Sequence, residues 1–194
     1  MSGISYSAEA AQTLVAIYST PDVVAQREAT TRRLALKPGE QVIDIGCGPG
    51  FLCESMAADV GATGRVLGVE LSEDLVRFAT GRKSRPWIDY HPGDAAKLDV
   101  PTASFDVVVS TQVVEYVPDA DAALREMYRA VRPGGRVWRD NLDESSYCLS
   151  QLCSRGFSLI FASSVVMPRI TQFSIPAWAA RGDARRRRQG WPSL

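Results

Sequence analysis

Histidine is nearly absent from this sequence. A single imidazole, His91, among 194 residues excludes a multi-histidine zinc or iron centre. A serine hydrolase would have to use that one residue, and no G-x-S-x-G elbow stands in the chain. Cysteine is sparse as well: four residues, none in a C-x-x-C pair, are too few for a disulfide scaffold. No excess of charge exists either, because 22 basic and 22 acidic side chains cancel. That balance excludes a globally basic nucleic-acid binder and a polyacidic tail protein. Long hydrophobic runs are missing. The longest apolar-leaning stretch, Phe157 to Met167, has eleven residues including three Ser and cannot span a bilayer. No charged n-region with an apolar run behind it opens the chain, so no secretory signal is expected. The expected setting is soluble, reducing and cytoplasmic.

What is present fits one domain. Apolar content of 45% is ordinary, which argues against disorder, and a chain of this length buries roughly 70% of its unfolded surface. From Ala8 to Leu36 the apolar spacing is helical, interrupted at Ser19-Thr20-Pro21-Asp22 by an N-cap signal with Pro in the first turn. Lys37-Pro38-Gly39-Glu40 is a turn. Gln41 to Ile45 is a short β-branched strand that runs into Gly46-Cys47-Gly48-Pro49-Gly50, and Phe51 to Val60 suits a helix. Arg65 to Leu71 and Trp87 to His91 read as strands, with a helix from Glu73 to Gly81 between them. Phe105 to Ser110 is a near-continuous apolar run, expected of a strand buried on both faces. Asp121 to Val131 is an amphipathic helix stopped by Arg132-Pro133-Gly134-Gly135, and Arg136 to Arg139 begins a fifth strand. Strand and helix alternate five times, which predicts an α/β fold: a doubly wound, mostly parallel sheet.

The segment VIDIGCGPG follows a strand and opens a helix, where such sheets bind ligands. Two cofactor classes use this position, dinucleotides and S-adenosylmethionine. The dinucleotide fingerprint G-x-G-x-x-G needs glycine at 51, where Phe51 stands. Pro49 removes an N–H from a would-be pyrophosphate cradle. Asp44, two residues before Gly46, repels pyrophosphate but suits a ligand carrying an ammonium and a sulfonium. Glu70, at the end of the second strand, has the chemistry to accept both ribose hydroxyl protons in either class.

These motifs resemble the class I S-adenosylmethionine-dependent methyltransferases, in the group with the ubiquinone-biosynthesis and arsenite methyltransferases. The resemblance covers residues 8 to 137, through VIDIGCGPG, VLGVELS, HPGDAAKLDVPTASFDVVVST and LREMYRAVRPGGRV in order. It implies the Rossmann-like fold and S-adenosylmethionine as co-substrate. By position it sets Asp44 and Gly46 near the methionyl amine, with Cys47, Gly48 and Gly50 in the loop. Glu70 would hold the ribose and Leu71 would pack on adenine. Asp94 and the Ala95 N–H would bond adenine, and Thr111 and Gln112 would border the methyl group. Relatives close N-terminal helices over the cofactor, which makes Tyr18 and Arg27 lid candidates.

Methyl transfer is an in-line displacement at an activated carbon, so proximity and alignment suffice and no catalytic residue is obligatory. If the acceptor needs a general base, Glu115, Tyr116 and His91 are the available types. Asp44 could instead cap the following helix, Glu70 could be a surface acid, and Asp94 after Gly93 could be a turn residue. Cys47 and Cys53 read as small buried core thiols rather than a metal or arsenic site. The expected function is methyl transfer to a small-molecule acceptor, since no added recognition domain is seen. A non-catalytic S-adenosylmethionine-binding protein and an NAD-dependent oxidoreductase are the alternatives.

The domain is read as residues 1–137 with an N-terminal helical lid, and 138–194 as a divergent C-terminal segment. That segment holds eight Arg, no Lys and four acids, a net of +4, whereas 1–137 carries 14 basic and 18 acidic residues, a net of −4. It either completes the sheet or is partly disordered. FSLIFAS is a candidate sixth strand, Arg169 to Ile175 a seventh, and RGDARRRRQGWPSL a disordered basic tail. Its composition shift also motivates the reading that this end is out of frame or alternatively terminated. Nucleic-acid binding through Arg185 to Arg188 is not expected, because no aromatic residues are interleaved with them. Neither a membrane contact nor a metal is expected.

Overall fold

The computed structural model describes residues 8–140 and 158–162. Two helices come first, α1 (Ala8–Tyr18) and α2 (Pro21–Leu34). Thr20 stands at the expected N-cap in extended conformation with Pro21 behind it. Its hydroxyl, however, donates back to the Ile17 carbonyl (2.8 Å) and leaves α2 without a side-chain cap. The Thr20 main chain still begins the helix, because the missing N–H of Pro21 falls where no intrahelical partner exists.

Strand and helix then alternate through β1 (Gln41–Ile45), α3 (Phe51–Val60), β2 (Arg65–Glu70), α4 (Glu73–Arg82) and β3 (Ile88–Pro92). β4 (Phe105–Thr111) follows β3 with no helix between them, and α5 (Ala120–Ala130), β5 (Val131–Asp140) and β6 (Ser158–Ala162) come after it. A single 3-10 turn, Val114–Tyr116, lies between β4 and α5. The sheet has six strands in the order β3-β2-β1-β4-β5-β6, and every neighbouring pair is parallel. Strand order reverses between β1 and β4, so the loops leaving their C-terminal ends diverge to opposite faces. The crevice between them is where such sheets take ligands.

Two apolar layers cover the sheet. On one face Val42, Val66, Val107, Val109 and Trp138 pack with Leu34 of α2, Cys53, Met56, Ala57 and Val60 of α3, and Val76 and Ala79 of α4. On the other, Ile43, Ile45, Val69, Val108 and Val137 pack with Leu124, Met127 and Ala130 of α5. The central strands are therefore buried on both sides, which explains why β4 reads as an unbroken apolar run rather than an alternating one. Asp119 starts α5 with a carboxylate that accepts from the Ala122 N–H (2.8 Å).

The helix stop at Arg132-Pro133-Gly134-Gly135 lies one residue beyond the end of α5, but this segment belongs to β5 rather than to a free turn. Phe105 pairs with Val131 and Val107 with Arg136, so the intervening residues bulge from the ladder. Pro133 has no N–H to give it, and Gly134 takes φ +79° there. β5 continues to Asp140 and β6 lies parallel beside it, Val137 against Leu159 and Arg139 against Phe161. The sixth strand read in FSLIFAS is thus present. The candidate seventh strand, the basic tail, Cys148 and Cys153 lie outside the described residues. No described helix is long and apolar enough to cross a membrane.

Candidate functional site

The loop from β1 to α3 is tied to the neighbouring strand before it reaches its helix. The Gly46 and Cys47 N–H groups both donate to the Val69 carbonyl (2.7 and 3.1 Å), and the Gly50 N–H closes a turn onto the Cys47 carbonyl (3.0 Å). Gly46, Gly48 and Gly50 all have positive φ, +75°, +52° and +79°, which explains the repeated glycine. At Gly46 a Cβ would also run into the Val113 side chain, and at Gly50 into the Tyr90 ring.

Glu70 ends β2 with its carboxylate turned back across this loop. One oxygen accepts the Gly48 N–H (3.0 Å) and the other the Ser72 N–H (3.0 Å). Each oxygen keeps acceptor capacity for a hydroxyl donor. Leu71, the next residue, leaves 60% of its surface exposed, a large apolar side chain set beside a held carboxylate.

Asp44 is buried at 1% exposure. Its Oδ2 accepts from the Cys53 thiol (3.4 Å), while Oδ1 has no hydrogen-bond partner. Burial, with the negative charge of Glu70 adding to it and the Cys53 hydrogen bond opposing it, pushes the carboxyl up to about 7. An ionised carboxylate left unpaired at such a place is costly, and a cation or hydrogen-bond donor beside it relieves the cost. The alternative role, capping α3, is not what Asp44 does: the N-cap of that helix is Gly50, without a side-chain hydrogen bond. Asp44 lines a pocket together with Gly46, Cys47, Thr111, Gln112, Phe51, Leu52 and, from the N-terminal helices, Tyr18, Val23, Gln26, Arg27 and Thr30. Gln112 adopts φ +53°, an uncommon conformation for a side chain of its kind. Among the described residues no cluster of three or more His, Cys, Asp or Glu suits a metal ion.

Phe51 fills the position where a dinucleotide fingerprint needs glycine. Its ring stacks on Tyr18 (centroids 5.7 Å apart, planes 8° apart). The guanidinium groups of Arg82 and Arg27 lie 3.8 and 5.2 Å from its centroid. Arg27 also donates to the Tyr18 carbonyl (3.1 Å). Burial and the neighbouring Arg82 hold the Arg27 guanidinium below its usual range. The two residues read as lid candidates therefore meet the glycine loop through Phe51.

The pocket gathers Asp44, Gly46, Cys47, Thr111 and Gln112 with Tyr18 and Arg27; Glu70 is bonded to the same loop at Gly48 but does not line the pocket. Other residues singled out in the sequence lie apart from it. The Asp94 side chain is exposed and its Oδ1 accepts from the Ala96 N–H (2.8 Å), so the carboxylate serves its own turn. Ala95 packs against the α5 side of the core. His91 is exposed near the end of β3, Tyr116 is 80% exposed, and Glu115 is placed only as part of the 3-10 turn. Cys47 and Cys53 are free and buried, as core thiols, and burial raises the Cys53 thiol. Tyr90 and Arg82, which brace the loop, were not evident from the sequence. Gly68 inside a strand was the available signal, since such a glycine marks close approach by another group; a Cβ there would meet both the Tyr90 ring and the Cys47 sulfur.

A family model described as a methyltransferase domain matches residues 43–138. The chain is 37% identical over 119 residues to an arsenite methyltransferase of Aquipseudomonas alcaligenes, covering 54% of this chain and 33% of that protein. It is 30% identical over 145 residues to a demethylmenaquinone methyltransferase of Lactococcus lactis, covering 73% and 56%. The chain thus spans about a third to just over half of the length of these relatives. Among solved structures, a phosphoethanolamine N-methyltransferase of Haemonchus contortus, in complex with phosphomonomethylethanolamine and S-adenosylhomocysteine, superposes with a TM-score of 0.54. It is 30% identical, over 58% of this chain and 27% of that one. A glycine loop at the switch point of a parallel sheet, an acid at the end of the next strand and this matched region agree: residues 43–138 are a methyltransferase domain, with the fold of S-adenosylmethionine-dependent methyltransferases.

Proposed function

We propose that the protein transfers a methyl group from S-adenosylmethionine to a small-molecule acceptor. The observation that carries this reading is the unpartnered Asp44 Oδ1, in a pocket walled by the glycine loop and the end of β4. A buried carboxylate oxygen with nothing to accept from fits a cationic ligand and disfavours a pyrophosphate. In this reading Asp44 and Gly46 face the methionyl ammonium, and Cys47, Gly48 and Gly50 shape the loop. Glu70 receives the ribose hydroxyls on the lone pairs that its two backbone donors leave free. Leu71 gives its exposed apolar surface to adenine, with Asp94 and the Ala95 N–H on the same side. Thr111 and Gln112 border the transferred methyl, and Tyr18 and Arg27 belong to a lid formed by α1 and α2.

When bound, the co-substrate supplies an electrophilic methyl on a positively charged sulfur. What the chain contributes is binding, orientation and exclusion of water. A general base enters only if the acceptor must lose a proton first, and Glu115, Tyr116 and His91 remain the candidates for it. We take residues 1–137 as the cofactor-binding unit and 138–194 as the segment beyond it. The setting is taken to be the cytoplasm, a compartment that keeps free thiols such as Cys47 and Cys53 reduced. The small-molecule acceptor is supported by relatives named for arsenite and demethylmenaquinone.

The test is turnover. The 194-residue chain is incubated with S-adenosylmethionine and a panel holding arsenite, quinol precursors, phosphoethanolamines and simple phenols, and S-adenosylhomocysteine is quantified. Acceptor-dependent product with at least one class is the expected result. Tight S-adenosylhomocysteine binding with no product on any acceptor would favour a protein that keeps the site without transferring methyl groups.

A further inference from the structure

Two adjacent carbonyls of the glycine loop are held from outside the loop by side chains of other elements. Tyr90, on β3, is buried at 7% exposure and donates its hydroxyl to the Gly50 carbonyl (3.2 Å). Arg82, at the end of α4, donates to the Pro49 carbonyl (3.0 Å). To reach Gly50 from β3, the Tyr90 side chain must cross β2, where its register partner is Gly68. That crossing is open only because Gly68 lacks a Cβ: one would lie 2.6 Å from Tyr90 Cδ1. At the far end a Cβ on Gly50 would collide with the same ring. Two glycines in separate elements are thus accounted for by one tyrosine.

The Gly50 carbonyl also receives the first helical bond of α3, from the Glu54 N–H (3.1 Å). The Tyr90 hydroxyl therefore fixes a point shared by the loop and the helix it opens. Two residues upstream, the Gly48 N–H points to Glu70. Gly48 and Gly50 lie in one turn, closed by the Gly50 N–H on the Cys47 carbonyl, so anchoring one end of it constrains the other.

We infer that Tyr90, with Arg82 on the neighbouring carbonyl, is a positioning residue for the cofactor loop: it sets the direction of the Gly48 N–H and, through that bond, of the Glu70 carboxylate. The inference rests on the proposed role of Glu70 toward a nucleoside ligand. It assigns to an edge strand, remote from the loop in sequence, part of the affinity for that ligand.

A mutant cycle read by calorimetric titration of S-adenosylhomocysteine into the full chain tests it. Tyr90→Phe keeps the ring and removes only the hydroxyl, and is expected to weaken binding about fivefold, the scale of one hydrogen bond. Glu70→Ala is expected to weaken it tenfold or more, as loss of a charged acceptor does. If Tyr90 acts through Glu70, Tyr90→Phe in the Glu70→Ala background costs less than about twofold, because the group it orients is gone. Arg82→Met is expected to show the same coupled pattern and serves if Tyr90→Phe fails to fold. An equal loss in both backgrounds marks a merely structural side chain and overturns the inference, as does no loss in either. If the unsubstituted chain does not bind S-adenosylhomocysteine, the cofactor reading itself fails and the inference falls with it.

Discussion

Asp44 concentrates the residue-scale chemistry of this protein. Its carboxyl is raised to about 7 by burial, and the charged or titratable groups that act on it, Cys53 and Glu70, bring no positive charge, although Arg27 lines the same pocket. In the free protein the native state therefore keeps a proton that the unfolded chain has lost, and stability falls as pH rises between the ordinary carboxylate range and about 7. A cationic ligand reverses the preference, since it favours the ionised form. Affinity for S-adenosylhomocysteine is expected to rise with pH up to about 7 and level off above. At pH 6 it should be roughly tenfold below the plateau, because only about a tenth of the carboxyl is then ionised. Titrations at pH 6 and 8, in buffers of different protonation enthalpy, should show a proton released on binding at pH 6. Asp44→Asn should bind weakly at both values and lose the slope. A flat profile in the unsubstituted chain would mean that Asp44 does not face the ligand's ammonium.

At the scale of elements, Phe51 decides how the N-terminal helices meet the sheet. It joins α3 to the Tyr18 ring and to two guanidinium groups. One stacked pair and two cation–π contacts sum to about 2 kcal/mol at partly exposed positions. Phe51→Ala should therefore raise the population of detached α1–α2 by roughly thirtyfold. Tryptic cleavage after Arg27, Arg32 and Arg33 should accelerate accordingly in a limited-proteolysis time course. An unchanged cleavage rate would show that the two helices are held by other contacts.

The same elements show what a sequence can carry. The strand–glycine loop–helix unit from Gln41 to Val60 was legible because local signals agree: β-branched residues, glycines where φ is positive, then a helical pattern. The places of Asp44 on β1 and of Glu70 at the end of β2 were legible because the alternation of elements fixes them. The conformation of 131–135 was not, since Pro-Gly-Gly reads as a turn until a neighbouring strand absorbs it as a bulge. Asp94 was read either toward adenine or as a turn residue, and its bond from the Ala96 N–H is the turn chemistry that the spacing does not separate from a ligand role. Tyr90 was invisible as a loop brace, for it meets Gly50 only after two parallel crossovers bring β3 beside β2. Gly68 carried the trace of that contact without naming its partner.

On the scale of the whole molecule, the sheet order β3-β2-β1-β4-β5-β6 makes one crevice, between the C-terminal ends of β1 and β4. Into it the chain brings a buried acid from β1, the start of the β4 loop and two helices from its N-terminal region, while the β2 carboxylate is held on the glycine loop at Gly48. None of these elements forms the pocket alone. Phe51 stands where a dinucleotide fingerprint needs glycine, and its ring is taken up by Tyr18, Arg27 and Arg82, which favours the other of the two cofactor classes that share this architecture. The most direct measurement is paired calorimetric titration of the 194-residue chain with S-adenosylhomocysteine and with NAD, repeated on Glu70→Ala. The expected result is micromolar binding of S-adenosylhomocysteine that the substitution weakens at least tenfold, and no measurable heat with NAD. Binding of NAD by a folded chain that ignores S-adenosylhomocysteine would contradict the reading of the Asp44–Gly50 loop at its root.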